Sequence, residues 1–268
     1  MSRRTTIDLF FVGPGRCGTT WLYETLSHWP GIAVPHLKET GIFLDRDPDV
    51  EKQALKLWRS EGLKADFSNT YCADADVAAR IQAHNPHAKI IFTVRAPLTR
   101  ALSHFGFLKR NGQIPPKTQL DAYLAGGDSW QILERCDYAQ LMAPFEARFP
   151  KEQILILAYE DLQKDPNGYL SRLRGFLGLK PLPPNAPIPG PVLAQQAPRG
   201  IALARLAKRT ALLLRACRAV RLLGWLKRQA WLQYVLFVPA KGANEPVENQ
   251  ALNLLQRGYP ELLKRVRA

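Results

Sequence analysis

Gly13-Pro14-Gly15-Arg16-Cys17-Gly18-Thr19-Thr20 follows an apolar run, Leu9-Phe10-Phe11-Val12, and precedes a segment of helical spacing. A glycine-rich loop between a strand and a helix suits an anion. Backbone N–H groups and the positive helix end attract it, and the glycines let the backbone come close. Thr19 and Thr20 add hydroxyl donors, and Arg16 adds a fixed cation that can fork onto a phosphate or sulfonate. The pattern G-x-x-x-x-G-K-[ST] would place Lys at position 19, where this chain has Thr, so the loop departs from the usual triphosphate cradle. The plainer reading is a glycine-rich turn with a Thr cap.

Two further groups can serve an anion or a proton. Arg95 leaves the end of Lys89-Ile90-Ile91-Phe92-Thr93-Val94, and ligands of open α/β sheets bind at the carboxyl ends of strands. Ser103 follows on the next helix and can close on the same phosphate. Taken singly, Arg95 reads as half of a surface ion pair; its place after that strand, together with the first loop, favours binding. Glu39, beside Lys38, is an acidic side chain in a polar stretch, and a carboxylate of this kind can take the proton of a positioned hydroxyl. Lys38 supplies a cation to that carboxylate or to an anionic substrate. A solvated Lys-Glu pair in a loop is the bland alternative.

The elements that must hold these residues alternate. Residues 8–12 read as a buried strand and 19–28 as a helix, stopped by Trp29-Pro30-Gly31. Residues 32–34 form a short strand, and a polar, charged region runs from His36 to about Phe67. Val77 to Ala83 reads as a helix, and residues 89–94 as the clearest strand. Pro97 opens a helix that runs through Leu108. Helical spacing returns from Tyr138 to Phe149 and from Leu170 to Leu177, with a strand at 154–157 between them. Strands alternating with helices predict an α/β fold, a mostly parallel sheet flanked by helices on both faces. The expected organisation is an α/β domain over 1–200, a Pro-rich linker from Pro181 to Pro198, and a basic helical C-terminal extension over 201–268 packed on the same domain.

Bulk composition narrows the partners. The chain has 268 residues, 46% of them apolar, enough for a real core, which excludes a disordered chain. The net charge of +14 points to an anionic partner. No acidic residue occurs between Asp165 and Glu245, while Arg172, Arg174, Lys180, Arg199, Arg205, Lys208 and others accumulate there. No leader and no membrane span are legible. The four cysteines, Cys17, Cys72, Cys136 and Cys217, lack paired spacing, so a cytoplasmic protein with reduced thiols and no structural metal is expected.

Arg16-Cys17-Gly18-Thr19-Thr20-Trp21-Leu22 resembles the 5′-phosphosulfate loop of sulfotransferases that use PAPS (3′-phosphoadenosine 5′-phosphosulfate), in which the cation stands before the second glycine. Val94-Arg95-Ala96-Pro97-Leu98-Thr99-Arg100-Ala101-Leu102-Ser103 resembles the same family's 3′-phosphate motif. Leu37-Lys38-Glu39-Thr40-Gly41-Ile42-Phe43-Leu44-Asp45 resembles the stretch of the glycan-type members in which Glu is the base. His36 is the rival base, since small-molecule members use a His, and His104 is a weaker one. Asp66-Phe67-Ser68-Asn69-Thr70-Tyr71 departs from the family's Lys-(Ser/Thr)-Pro-x-Tyr: Ser68 and Tyr71 remain, the Lys and Pro do not, which leaves the sulfonate to Lys38 or Arg16. Tyr159-Glu160-Asp161-Leu162 matches a downstream element, with Glu160 and Asp161 read as a helix cap. Ala197-Pro198-Arg199-Gly200 matches the loop that closes over the 3′-phosphate.

The resemblance covers roughly residues 8–200. It implies PAPS as co-substrate and PAP (3′-phosphoadenosine 5′-phosphate) as product, held by Arg16, Cys17, Gly18, Thr19, Thr20, Trp21, Arg95, Ser103, Arg199 and Gly200. Catalysis would fall to Glu39, Lys38 and Arg16, without a metal. The acceptor would be a hydroxyl or amine of a glycan, a lipid head group or a natural product. The basic stretch 201–238, with Trp225, Trp231, Tyr234 and Phe237 among its cations, suits either helices with solvated Arg faces or an anionic membrane surface; no nucleic-acid reader motif appears. Two readings from other classes stay open: a P-loop kinase or NTPase, and a nucleotide- or membrane-binding protein without catalysis.

Overall fold

The computed structural model describes residues 6–36, 38–45, 57–58, 61–183, 196–198, 237–239 and 247–267. Five strands, β1 (Leu9–Phe11), β2 (Ile32–Ala33), β3 (Leu63–Phe67), β4 (Lys89–Val94) and β5 (Ile154–Ala158), form one sheet in the order β2-β3-β1-β4-β5. Every pairing in it is parallel. The helices are α1 (Thr19–Leu26), α2 (Ala75–His84), α3 (Pro97–Arg110), α4 (Leu120–Ala125), α5 (Tyr138–Glu146), α6 (Tyr159–Lys164), α7 (Pro166–Leu177) and α8 (Gln250–Arg267).

Alternation along the strands sorts the core into two layers. Phe10, Val12, Ile90, Phe92 and Val94 meet Val77, Ala78 and Ile81 of α2, Leu141, Met142 and Phe145 of α5, and Tyr259 of α8. Leu9, Phe11 and Ile91 meet Trp21, Leu22 and Leu26 of α1 and Tyr169, Leu170 and Leu173 of α7. The Val, Leu, Ile, Phe and Met side chains among them contribute about 1.5–3 kcal/mol of transfer free energy each. The α/β sheet with helices on both faces is the architecture expected from the alternation.

The strand β3 corrects the expectation of a polar stretch up to Phe67. Lys64 and Asp66 hide it in sequence, yet β3 lies between β2 and β1, and Asp66 is 0% exposed. Three hydroxyls make that burial tolerable: Tyr71 Oη (2.7 Å), Thr40 Oγ1 (2.8 Å) and Ser68 Oγ (3.1 Å) all donate to the Asp66 carboxylate. Burial still raises its pKa, against the pull of those three donors.

The chain divides into two compact units, residues 1–100, 133–192 and 251–268 in the first and 101–132 and 193–250 in the second. The first holds the sheet, the glycine loop, Glu39 and Arg95, while Ser103 and His104 belong to the second. In the second, the rings of Phe105 and Tyr123 lie 5.7 Å apart, and Leu108, Ile114, Leu120 and Leu124 are buried. A short antiparallel pair joins β6 (Gln196–Pro198) to β7 (Phe237–Pro239), so the linker and the basic segment each end in a strand. Residues 199–236, with Arg199 and Gly200, lie outside the described residues. Among the described residues no helix is long and apolar enough to cross a membrane.

Candidate active site

The loop between β1 and α1 is shaped by its glycines. A Cβ on Gly13 would lie 2.5 Å from the Thr93 backbone N and 2.9 Å from its O, so this position takes no side chain. Gly18 is the N-cap of α1 at φ 86°. A Cβ there would meet Tyr159 at 3.0 Å. Arg16 has φ 75°, a conformation that costs a non-glycine residue roughly 1–2 kcal/mol. The loop thus turns its chain sharply before α1. The first turn of that helix, Thr19, Thr20 and Trp21, carries amides that a helix leaves without intrahelical acceptors. Thr19 is buried and Thr20 half-buried. Cys17 is 0% exposed, and Trp21 packs edge-on against Tyr169 at 6.3 Å, so both offer the loop their backbones and give their side chains to the core.

The buried thiol has a measurable consequence. Burial pushes Cys17 from 9.0 up to about 12, with Arg100 and Arg95 pulling the other way, and pushes Cys72 to about 12 as well. A thiol protonated in the fold and ionised in the unfolded chain favours unfolding between those two values. Stability should therefore be flat with respect to these groups below pH 9 and fall from pH 9 to 12, by on the order of 1 kcal/mol per thiol at pH 10. Urea unfolding at pH 8 and pH 10 checks this, with a shallower fall expected for Cys72→Ala. Iodoacetamide should label neither thiol until the chain unfolds.

Arg95 sits where β4 gives way to α3, and its guanidinium reaches the loop. Its Nη1 donates to the Arg16 carbonyl (3.2 Å), its Nε donates to Thr99 Oγ1 (3.1 Å), and the group lies over the Tyr159 ring, 4.5 Å from the centroid. The two motifs singled out for phosphate are thereby neighbours in space, joined through Arg16. Ser103 is buried on α3, and His104 is half-buried beside it.

Glu39 stands at the mouth of the same loop. Its backbone N–H donates to the Phe67 carbonyl at the end of β3 (2.9 Å), which holds it at φ 63°, left-handed like Arg16. Around it, Thr40 bonds Asp66 and the Gly41 N–H donates to Ser68 Oγ (3.0 Å), so the strained backbone is fixed from both sides. The carboxylate accepts from the Asn69 backbone N–H at Oε2 (2.7 Å), and from Asn69 Nδ2 and Lys38 Nζ at Oε1. The side chain keeps 39% exposure and Lys38 keeps 18%, so part of the carboxylate still faces outward. Asn69 in turn lies against the loop: a Cβ on Gly15 would sit 3.6 Å from its Nδ2. His36, the other candidate base, is exposed on the segment before Lys38.

Asn69 is the functional residue that sequence reading missed. It stands where the family pattern has Pro, and a proline could donate neither hydrogen bond to Glu39. The position of the family's Lys is occupied by Phe67, whose ring stacks on Phe11 at 4.0 Å in the core. That side chain belongs to the core, so no cation stands at this position and Arg16 and Lys38 remain the candidates for the sulfonate. Glu160 differs from its expected role as a cap. Its Oε1 accepts the Ala96 N–H (2.9 Å) and its Oε2 accepts the Tyr259 hydroxyl (2.7 Å). Asp161 pairs with Arg172 at 3.5 Å.

A parallel α/β sheet with a glycine loop, Arg95 and the Glu39 carboxylate at the carboxyl ends of its strands has its candidate site where open α/β folds bind their ligands. A family profile described as the sulfotransferase domain matches residues 6–185. The chain belongs to the sulfotransferase family, as the motifs indicated. It is 34% identical over 186 residues to mouse heparan sulfate glucosamine 3-O-sulfotransferase 3B1, a match covering 63% of this chain and 45% of that protein. The chain thus spans less than half the length of that curated relative. Among solved structures it resembles a sulfotransferase from Alicyclobacillus acidocaldarius, with a TM-score of 0.61, 22% identity, and 84% of this chain and 97% of that one covered. Mouse sulfotransferase SULT7A1 complexed with PAP gives a TM-score of 0.50 at 21% identity, covering 66% of this chain and 61% of that one.

Proposed function

We propose that this chain moves a sulfuryl group from PAPS to a hydroxyl of an anionic glycan, with Glu39 as the general base. The observation that carries the reading is the Asn69 bridge: its side chain lies where a Cβ on Gly15 of the phosphate loop would meet it, and its backbone N–H and side-chain amide each hold one oxygen of Glu39. A base fixed beside the loop stands where an acceptor would have to be deprotonated. PAPS supplies the activated sulfuryl group and a phosphate leaving group. Glu39 takes the acceptor proton as the acceptor oxygen bonds to sulfur and the sulfur–phosphate oxygen bond breaks. Arg16 and the amides of Gly18, Thr19 and Thr20 stabilise the negative charge that grows on the departing phosphate oxygen. Lys38 pairs with the carboxylate and is a second candidate cation for the sulfonate. Arg95 fits the 3′-phosphate because its guanidinium is already aimed by three partners. Heparan sulfate enzymes among the relatives and a net charge of +14 support an acidic sugar polymer as acceptor.

Thermal unfolding in EDTA tests the nucleotide part. PAP at a hundred times its Kd should add roughly 2.7 kcal/mol, a rise on the order of 5 °C, and 5′-AMP much less. Stabilisation by ATP only with Mg²⁺, and none by PAP, would replace this reading with a kinase. Transfer of radiolabelled sulfate from PAPS to desulfated heparan sulfate tests the acceptor. Labelling of a neutral lipid head group in its place would overturn the glycan while leaving the chemistry.

A further inference from the structure

The turn that carries Arg95 is held by side chains rather than by its own backbone. Its consecutive N–H groups are Arg95, Ala96 and Leu98, Pro97 having none. Arg95 N–H donates to Tyr138 Oη (3.2 Å), and the same hydroxyl donates back to the Arg95 carbonyl. Ala96 N–H donates to Glu160 Oε1 (2.9 Å), and Leu98 N–H to Gln256 Oε1 (3.0 Å). A helix start normally offers such amides to an anion. Here they are taken, so an anion at this turn must be met by the guanidinium of Arg95.

All three props lead to α8. Gln256 belongs to it. Tyr259, also on α8, donates its hydroxyl to Glu160 Oε2 (2.7 Å) and lays its ring against Tyr138, 6.1 Å between centroids. Burial raises the pKa of both tyrosines, so each stays a neutral hydroxyl able to donate. Glu160 follows Tyr159, whose ring is the platform under Arg95. The helix itself is anchored: Leu252, Tyr259 and Val266 are buried on one stripe, Arg172 donates to the Val266 carbonyl, and Arg265 pairs with Glu146 at 2.9 Å.

We infer that α8 is the brace that aims Arg95, and that Gln256 and Tyr259 are positioning residues setting how strongly the site prefers a nucleotide bearing a 3′-phosphate. The inference rests on the reading that PAPS binds here. Without the Tyr259 hydroxyl, Glu160 regains a lone pair next to the arginine platform and competes for the Arg95 guanidinium. None of the α8 contacts above is made by a residue of the 5′-phosphate loop, Gly13 to Thr20; the loop meets Arg95 through the Arg16 carbonyl, so binding of a 5′-phosphate should change less than binding of a 3′-phosphate.

Calorimetric titration of the full chain with PAP and with 5′-AMP, in EDTA, tests it. Wild type should bind PAP more tightly than 5′-AMP. Tyr259→Phe should weaken PAP about tenfold and 5′-AMP less than twofold, the scale of one lost hydrogen bond to a charged group. Gln256→Met, which keeps the helix and removes the acceptor, should shift the same ratio in the same direction. Leu254→Ala, at an exposed position of α8 (65%), should leave the ratio unchanged. Equal weakening of both nucleotides, or no change in either, overturns the brace. A wild-type chain without preference for PAP overturns the PAPS reading first, and the brace falls with it.

Discussion

Glu39→Gln should lower kcat for sulfuryl transfer by roughly 10²–10⁴-fold and leave PAP affinity within about a factor of two. The change keeps the side chain's size and its place between Asn69 and Lys38 but removes the oxygen that takes the acceptor proton. One consequence is local: the Gln amide cannot accept from both donors of Asn69, so its NH₂ must turn from one of them. That adjustment is small beside the lost base. The nucleotide contacts proposed above, on Arg16, Arg95 and the first turn of α1, involve other residues, which is why binding should survive. Rates with desulfated heparan sulfate and a PAP titration decide the matter together. Activity within tenfold of wild type would remove Glu39 as base and bring His36 forward.

Gly13→Ala should be among the most damaging single-methyl additions to the fold. The added Cβ would stand 2.5 Å from the Thr93 N and 2.9 Å from its O, and neither atom can step aside without parting β1 from β4. Overpacking against backbone costs on the order of 3 kcal/mol, which in a chain of this size lowers Tm by roughly 8 °C. Gly31→Ala is the useful contrast. Its φ of +86° also disfavours a side chain, but nothing lies within 4 Å of the new methyl. Only the conformational cost remains, about 1 kcal/mol, or roughly 3 °C. Thermal denaturation of the two variants separates close approach from handedness. Equal losses would mean that the Gly13 contact relaxes to a cost of only about 1 kcal/mol.

The parts legible in sequence were those in which local chemistry and tertiary role agree. Residues 89–94 and 154–157 are short, apolar and β-branched, and they are strands. The glycine loop and Arg95 were readable because each follows such a strand. β3 was not, because Asp66 belongs to the core only through hydroxyls from Thr40, Ser68 and Tyr71, and a polar residue in a sequence does not announce its partners. The grip of Asn69 on Glu39 joins residues thirty positions apart, and no local pattern encodes it. Glu160 was read as a cap from its place at a helix start, while its actual bonds reach Ala96 and Tyr259. One missed signal was present: Asp165-Pro166 marks a helix start, Asp165 accepting the Gly168 N–H and Pro166 taking the first position of α7, so the run after β5 is two helices.

The first unit is also interrupted in chain order. Its sheet and flanking helices end by residue 192, and α8 arrives only after residues 193–250, which belong to the other unit. Synthesis is vectorial, so the ribosome delivers a nearly complete sheet several seconds before the helix that covers it. During that interval the layer formed by Phe92, Phe145 and Tyr138 lacks Tyr259, and the turn at Ala96 and Leu98 lacks its props. The nascent chain therefore holds a glycine loop before it holds a finished arginine site. The interval is one in which apolar surface of that layer stays uncovered.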